Sequence, residues 1–273
     1  MGDGKSRGEF QFDDAIVVAS HPRSGTHLVI DVLRRQFPCC ESPRAFAPAG
    51  QEPYGNLDLL VSQSAATADR EIARIAKTAR PLLKTHRRPD FFARCQYTAA
   101  VVPERVDFAE QVMARAAKIC VYRSVSDVMR SLFLMTYPNA DAAFGQFIRE
   151  VRGPRSRVGW WAMHLAEWMH AERTHLVFYD ELLREPETVV TSLGEFIGEE
   201  PLMRSPILPP APSSPHLERL KKLLLLRRDS TALMSYGKRP VRVMPEDLAF
   251  MRQEAIRIDA GLPGLPDGAL KSA

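Results

Sequence analysis

The chain has 273 residues, of which 45% are hydrophobic and 26% are charged, and its formal net charge is +4. This composition is that of an ordinary soluble globular protein with enough residues to bury a substantial core. So mild a positive charge gives no reason to expect nucleic-acid binding, although it suits an anionic small molecule. The sequence shows no apolar run that could span a bilayer, no secretory signal and no metal-binding spacing among its four cysteines. We therefore expect a cytoplasmic protein with free thiols and without stable membrane insertion.

Four short apolar runs are predicted to form buried strands, and helical patterns separate them. The predicted strands are Ala15–Ser20, Leu82–Thr85, Lys118–Tyr122 and Leu176–Tyr179. The predicted helices are Ala66–Ala79, Asp127–Met135, Val158–Glu172, Pro186–Ile197 and His216–Leu226, the last of which follows an irregular proline-rich stretch, Pro201–Pro215. Such alternation is typical of a doubly wound parallel α/β sheet flanked by helices. We expect a single domain over residues 15–260, between a loose N-terminal tail (1–14) and a C-terminal tail (261–273).

A phosphate-binding or sulfate-binding loop is predicted between the first strand and the first helix. The strand leads into the turn His21-Pro22-Arg23-Ser24-Gly25, and a periodic helix follows. Free N–H groups and the positive end of the helix dipole attract anions at such a point. Arg23 adds a permanent cation, and Ser24 and Thr26 add hydroxyl groups. The alternative is an ordinary turn in which Ser24 or Thr26 caps the helix.

This loop differs from the loop of nucleoside-triphosphate-binding enzymes. The Walker pattern requires a lysine after its second glycine, followed by a serine or threonine that holds Mg²⁺. Here Gly25 is followed by Thr26 and His27, and the cation, Arg23, precedes the glycine. The loop therefore lacks two parts that a metal-dependent kinase or ATPase requires.

A second motif, Lys84-Thr85-His86, ends the second predicted strand. The carboxyl ends of parallel strands share one edge of the sheet, so we expect His86 to face the same crevice as Arg23. A neutral histidine can accept a proton from an alcohol, and Lys84 can neutralise charge on a leaving group. The alternative is that His86 caps the next helix while Lys84 is solvated.

A third motif places Arg123 at the end of a strand and Ser131 about two helical turns further on. An arginine fork and a serine hydroxyl at that spacing could hold one phosphate from two sides. The alternative is an ordinary surface arginine and a serine that packs within the helix.

In this order, the motifs P-R-S-G-T-H-L, K-T-H-x-x-P and Y-R-x-x-x-D-V-x-x-S resemble those of the sulfotransferases that use 3′-phosphoadenosine 5′-phosphosulfate (PAPS). The segment Val177–Leu182, followed by Pro186 and a helix ending at Gly198, is similar to a further segment of that family. The resemblance covers roughly residues 15–198 and implies a P-loop-like fold. Within that family, the chain resembles the cytosolic-type enzymes, which act on small molecules.

The resemblance also implies roles for individual residues. The 5′-phosphosulfate would be held by Arg23, Ser24, Gly25, Thr26 and His27. Arg123 and Ser131 would hold the 3′-phosphate, and Tyr179 would approach the adenine. His86, with Lys84 beside it, would be the general base on the acceptor hydroxyl. The sulfuryl group would move in line and adenosine 3′,5′-bisphosphate (PAP) would leave, with Arg23 and Lys84 stabilising the transition state and no metal required.

The chain departs from the family pattern at several positions. Leu28 stands where an adenine-stacking aromatic residue is usual, and His27 is a rival candidate for the base. The longer stretch Pro89–Arg123 could form a lid or an acceptor-side element. For the family's late 3′-phosphate clamp, the best counterparts are Lys238 and Arg239. Their competitors are Arg227 and Arg228, and a solvated basic face is an equal alternative for all four.

Two other functions remain open from the sequence. One is a nucleotide or sugar kinase of related architecture, and the other is a PAPS-binding protein without turnover. For the enzyme, a small hydroxylated acceptor is preferred to a polymer, because no long basic groove is evident. The group Arg149, Arg152, Arg155 and Arg157 would tolerate an anionic or sugar-like acceptor, or would form an exposed strip. The oligomeric state cannot be deduced.

Overall fold

The computed structural model describes residues 10–41, 53–94, 103–137, 143–209 and 241–265. Its strands are β1 (Ile16–Ser20), β2 (Gly55–Asn56), β3 (Leu82–Thr85), β4 (Ala117–Tyr122), β5 (Val151–Arg152), β6 (Arg155–Ser156) and β7 (Thr174–Phe178). Its helices are α1 (Thr26–Gln36), α2 (Leu57–Leu60), α3 (Ala65–Ile75), α4 (Pro103–Arg115), α5 (Val125–Thr136), α6 (Phe144–Arg149), α7 (Arg157–Met169), α8 (Tyr179–Arg184), α9 (Pro186–Ile197) and α10 (Pro245–Ile258). A short 3₁₀ turn, Pro38–Cys40, follows α1.

The main sheet is parallel throughout, with the strand order β2–β3–β1–β4–β7. The register pairs Ala19 of β1 with Thr85, and Ser20 with Val121 of β4. On the other side of β4, Tyr122 pairs with Phe178. The carboxyl ends of the four longer strands therefore lie along one edge, with β1 in the middle. The strands β5 and β6 form a separate antiparallel pair.

Both faces of the sheet are covered. Val17 and Ala19 of β1 point into one apolar cluster, which includes buried residues of α4, α5, α7 and α10. Ile16 and Val18 point into a second cluster, built with α1 and α9. Since alternate residues of a strand face opposite sides, a strand buried on both faces is apolar throughout. The doubly wound α/β fold predicted from the sequence is confirmed.

The predicted core elements are found with small shifts at their ends. The strands β1, β3, β4 and β7 and the helices α3, α5, α7 and α9 all correspond to predictions, and β3 and α9 have the predicted bounds. Gly198 ends α9 in the left-handed conformation, with φ 70°. The predicted helix His216–Leu226 lies outside the described residues.

Part of the stretch Pro89–Arg123, where a lid or an acceptor-side element is expected, is a regular helix. Residues 103–115 form α4, whose Val106, Ala109 and Val112 are buried in the core. The apolar stripe of α4 is narrow, so its period was not conspicuous in the sequence. A role of this stretch on the acceptor side stays a prediction.

Residues just before β1 pack against the domain. The ring of Phe10 lies 5.2 Å from that of Phe12 and 5.0 Å from that of Phe108 in α4. The remainder of the expected N-terminal tail lies outside the described residues, and the domain limits stay a prediction. Cys39, Cys40 and Cys120 are free thiols, as expected. Within the described ranges, no helix has the length and apolar character that crossing a membrane requires.

Candidate functional site

Four side chains that could take part in binding or catalysis lie at the same edge of the sheet. His21, His86, Arg123 and Tyr179 each follow directly on the last residue of β1, β3, β4 and β7. In open parallel sheets the ligand crevice lies at this edge, near the point where the chain reverses its winding direction. Here that point is β1, because β3 lies on one side of it and β4 on the other.

The loop between β1 and α1 depends on a glycine. Gly25 has φ 108°, and Arg23, which is not a glycine, has φ 75°. A Cβ atom at position 25 would lie 2.2 Å from Cδ2 of Tyr179. Only glycine meets both demands, since it adopts positive φ without strain and lets the tyrosine ring approach. The loop and the start of α8 are thus packed together.

The N-terminus of α1 is open. No side chain of the described residues caps it, and its first turn holds no acidic residue. Thr26 hydrogen-bonds through its hydroxyl to Ser20 Oγ instead. Ser24 is fully buried, and its hydroxyl has no hydrogen-bond partner among the described residues. The interpretation that Ser24 or Thr26 caps this helix is therefore wrong, and the geometry fits an anion-binding loop.

Arg23 and Arg123 extend this loop towards α5. Arg23 Nε donates a hydrogen bond to Ser131 Oγ at 2.9 Å, which joins the first and third sequence motifs. The Arg123 guanidinium lies 4.7 Å from the Tyr179 ring centroid and 3.7 Å from Asp127 Oδ2. Arg123 Nε is buried without a hydrogen-bond partner among the described residues. The Arg23 loop and the Arg123 motif thus lie next to each other, joined by the bond between Arg23 and Ser131 and by the contacts of both with Tyr179 or α5.

His86 is oriented by the end of β1. Its Nδ1 lies 2.9 Å from the Ser20 carbonyl oxygen and 3.4 Å from Ser20 Oγ. A carbonyl only accepts, so Nδ1 carries the ring proton, and this leaves Nε2 as the basic nitrogen. Burial lowers the pKa of His86, and Lys84 lowers it further, against the opposing effects of Ser20 and Asp58. The imidazole is therefore neutral at pH 7.

Lys84 and His27 form a pair on the α1 side of the sheet. Lys84 Nζ lies 3.4 Å from His27 Nε2 and 5.3 Å from the centroid of the Tyr54 ring. An ammonium only donates, so His27 Nε2 accepts this hydrogen bond. A nitrogen engaged in this way is not the better base, which favours His86 over His27 for that role.

Sequence reasoning missed Asp58. Its carboxylate accepts hydrogen bonds from Thr85 Oγ1 at 2.6 Å and from the backbone N–H of His86 at 2.9 Å. The side chain of Asn56 caps the N–H of Asp58 in turn, at 3.1 Å. These bonds fix the backbone that carries His86. The only signal in the sequence was Asn56-x-Asp58, which is too short to distinguish from an ordinary turn.

Two further histidines near the site were also missed. The rings of His21 and His164 lie 5.9 Å apart, edge to face. Burial lowers the pKa of His21 to about 4, and it lowers that of His164 well below its usual value. Nothing in the sequence indicates the contact of His164 with His21, 143 positions away.

Some predicted ligands are not tested by this geometry. Lys238, Arg239, Arg227 and Arg228 lie outside the described residues. Leu28 packs against the apolar cluster beneath α1. The described residues contain no group of three or more histidine, cysteine, aspartate or glutamate side chains placed to hold a metal ion.

The expected arginine strip is partly neutralised, because two carboxylates pair with three of its four arginines. Arg149 pairs with Asp247 at 2.6 Å. Arg152 and Arg157 pair with Glu150 at 3.2 Å and 2.5 Å. These ion pairs reduce the attraction of this surface for an anionic acceptor.

The fold is a parallel α/β sheet with an uncapped loop-to-helix turn after its central strand. The model of the family described as "Sulfotransferase domain" matches residues 13–206, more than two thirds of the chain. The chain belongs to this family. No curated protein matches it.

Several solved structures resemble the chain at low identity. A mouse sulfotransferase complexed with PAP is 19% identical, with a TM-score of 0.43, and the match covers 71% of this chain and 62% of that one. Retinol dehydratase in complex with androsterone and PAP is 16% identical, with a TM-score of 0.36 and coverage of 69% and 60%. The sulfotransferase domain of the Synechococcus PCC 7002 olefin synthase is 16% identical, with a TM-score of 0.39 and coverage of 93% and 100%. The chain thus spans about three fifths of the length of the first two.

Proposed function

We propose that this protein transfers the sulfuryl group of PAPS to a hydroxyl group of a small-molecule acceptor. The observation that carries the proposal is the hydrogen bond between Arg23 and Ser131. Because Arg23 belongs to the loop before α1 and Ser131 to the motif that contains Arg123, this bond supports a single site for a ligand with two separate anionic groups. Membership of the sulfotransferase domain family supports the same reading.

The residues present fit the nucleotide. Gly25 and the N-terminus of α1, with the buried hydroxyl of Ser24, would hold the 5′-phosphosulfate. Arg123, with its buried and unpartnered Nε, and Ser131 would hold the 3′-phosphate. Tyr179, which packs on Gly25, would border the adenosine. When bound, PAPS supplies an activated sulfuryl group and PAP as its leaving group.

His86 is proposed as the general base. The acceptor oxygen forms the new S–O bond as the bond from sulfur to the bridging phosphate oxygen breaks. The proton of the acceptor hydroxyl passes to Nε2 of His86 and then to solvent. The Nδ1 contact with Ser20 and the Asp58 contact with the backbone hold the ring in the required tautomer and orientation. Arg23 and Lys84 supply positive charge at this edge of the sheet, where negative charge develops on the leaving group.

Nucleotide binding is the first test. PAP should raise the thermal unfolding temperature of the wild type, because a ligand at a hundred times its Kd stabilises the native state by about 2.7 kcal/mol. ATP with Mg²⁺ should not, and Arg123→Ala should abolish most of the PAP effect. Stabilisation by ATP with Mg²⁺ and not by PAP would reject the proposal in favour of the kinase.

Catalysis is the second test, and it separates an enzyme from a protein that only binds PAPS. His86→Asn should lower kcat by about 10²–10⁴-fold while the Kd for PAP stays within a few-fold of the wild type. The control is His175→Asn, because His175 is also buried enough to have a lowered pKa but contacts Ser192 and Phe196. A wild type that binds PAP and transfers nothing to any hydroxyl would contradict the enzyme assignment.

The pH dependence follows from the His86 pKa. The active base is the neutral ring, and burial holds its pKa below the ordinary 6.5. The rate should therefore be constant around pH 7 and fall only as the pH decreases through that lowered pKa. A rate that already falls between pH 7.5 and 6.5 would argue against His86 as the base.

A further inference from the structure

A group of polar side chains beside His86 has no role in the proposed sulfuryl transfer. The group comprises His21, Arg88, His164 and Glu167, and we call it the polar wall. His21 follows β1, Arg88 lies two residues beyond His86, and the other two lie on α7. Trp168 Nε1 donates a hydrogen bond to the Arg87 carbonyl at 3.1 Å, so α7 is fixed against the segment that carries His86.

The polar wall is held together by two contacts. The His21 and His164 rings meet edge to face, with centroids 5.9 Å apart. Arg88 Nη1 donates to Glu167 Oε1 at 2.7 Å. His164 and Glu167 are three residues apart on α7 and so share one face of the helix. His21 is half-buried and His164 is only 5% exposed, so His21 is the more accessible of the two rings.

Two atoms of the polar wall lack the hydrogen bonds that they require. His164 Nε2 and Glu167 Oε2 are both buried and have no partner among the described residues. Leaving such an atom unsatisfied costs about 1–3 kcal/mol, and native proteins rarely do so. An apolar acceptor would leave this cost in place, whereas a hydrogen-bond donor that reached either atom would remove the cost for that atom.

The charges of the polar wall decide which polar group fits. Burial keeps the pKa of His21 at about 4 and that of His164 well below its usual value, and the charge of His86 would lower both further. Both rings are thus neutral at pH 7, and Glu167 is paired with Arg88. Within the polar wall itself, the positive charge of Arg88 is balanced by Glu167. A hydroxyl suits either atom, because its one hydrogen can be donated to a carboxylate oxygen or to an imidazole nitrogen.

We propose that the acceptor is a compact polyol, a non-anionic molecule with at least two neighbouring hydroxyl groups. One hydroxyl lies at His86 and receives the sulfuryl group. The other donates a hydrogen bond to His164 Nε2 or to Glu167 Oε2. This inference rests on the proposed function, and it makes His164 and Glu167 determinants of acceptor specificity.

Matched acceptors test the inference. The probes are catechol against phenol and cyclohexane-1,2-diol against cyclohexanol, each assayed with PAPS for kcat/KM. We expect the wild type to prefer a diol over its matched mono-ol by at least about tenfold, since a site built for a hydroxyl rejects the analogue that lacks it. His164→Leu should reduce that preference by about tenfold, mainly through the KM of the diol.

Two further variants show whether a loss of the diol preference reflects a folding defect. Glu167→Met alters a partly exposed side chain and should reduce the diol preference about threefold. His175→Leu removes a histidine whose pKa is likewise lowered by burial but which lies outside the polar wall, and it should keep the full preference. A preference that survives both His164→Leu and Glu167→Met would overturn the assignment.

The outcomes separate this inference from the proposed function. If PAP fails to stabilise the protein, the proposed function and the polyol assignment fall together. If PAP binds but the mono-ols are sulfated as well as the diols, only the polyol assignment falls. It also falls if PAP binds and no diol is either sulfated or able to stabilise the PAP complex further.

Discussion

Two neighbouring turns of this protein each connect a parallel strand to a helix, but the N-termini of the two helices differ. The turn from β1 to α1 and the turn from β4 to α5 both leave the same edge of the sheet from adjacent strands. The N-terminus of α1 has no side-chain cap among the described residues and no acidic residue in its first turn. That of α5 is capped by Ser124, whose Oγ accepts from the Asp127 N–H at 3.4 Å and donates to its carboxylate at 3.0 Å.

The N-termini of the two helices differ in the groups that they offer to an anion. At α1 the backbone N–H groups and the helix dipole are available to a ligand. At α5 the protein already satisfies them, and the Asp127 carboxylate opposes a second negative charge there. An anion beside α5 must therefore be held by side chains, for which Arg123 and Ser131 are placed. Under the proposed function, the first turn would hold its anion mainly through the backbone and the second through side chains.

Gly25→Ala should break the first turn and produce the largest effect. A side chain at φ 108° costs about 1–2 kcal/mol, and its Cβ would lie 2.2 Å from the Tyr179 ring. The resulting overpacking adds about 1–3 kcal/mol. We expect the free energy of unfolding, measured by urea denaturation, to fall by about 3 kcal/mol and PAP binding to be lost.

Gly198→Ala is the matched control for that change. Gly198 has φ 70°, and a Cβ there would have nothing within 4 Å. It should therefore cost only the backbone strain, about 1 kcal/mol, and leave PAP binding intact. Adding Tyr179→Ala to Gly25→Ala should recover the overpacking part alone. Equal destabilisation by the two glycine variants would show that Tyr179 does not restrict position 25.

The same comparison shows what the sequence could reveal. The strands β1, β3, β4 and β7 were predictable because burial on both faces makes them apolar throughout. Arg23, His86 and Arg123 were predictable because they stand beside strand ends, where parallel strands place ligands. The difference between the two turns was not evident, since Ser24 and Ser124 each precede a helix and only the structure tells which one caps it.

Long-range contacts and short elements explain what the sequence did not reveal. Asp58 acts on His86 from α2, a helix of four residues with no periodic pattern. The contact between His21 and His164 depends on how α7 packs, which no local pattern encodes. The helix α4 was missed because its apolar stripe is narrow.

Arg123→Ala should weaken the binding of PAP at the second turn, between β4 and α5. Hydrogen bonds to a charged group contribute about 1.5–3 kcal/mol, so the Kd for PAP should rise about 10–100-fold by isothermal titration calorimetry. The Kd for AMP, which lacks the 3′-phosphate, should change much less. The stability of the free protein should fall only slightly, because the Asp127 contact is long, at 3.7 Å.

Arg130→Ala is the control for Arg123→Ala. Arg130 also approaches Asp127, at 3.8 Å, but its side chain is 45% exposed. We expect it to leave both Kd values within about twofold of the wild type, as surface ion pairs contribute little. If Arg123→Ala weakened AMP as much as PAP, Arg123 would not be a ligand of the 3′-phosphate.

Ser24→Ala and Ser124→Ala should have smaller effects, and each should change a different quantity. One should weaken PAP binding, and the other should lower the stability of the free protein. Ser124 caps α5, so Ser124→Ala should lower the free energy of unfolding by about 1 kcal/mol while the Kd for PAP stays within about twofold. The Ser24 hydroxyl is buried without a partner among the described residues, so its removal should not destabilise the free protein. It should instead raise the Kd for PAP by about 3–10-fold, the contribution of one neutral hydrogen bond. If both variants lost stability and neither lost affinity, Ser24 would be a structural residue like Ser124, and the two turns would not differ in the way that their caps indicate.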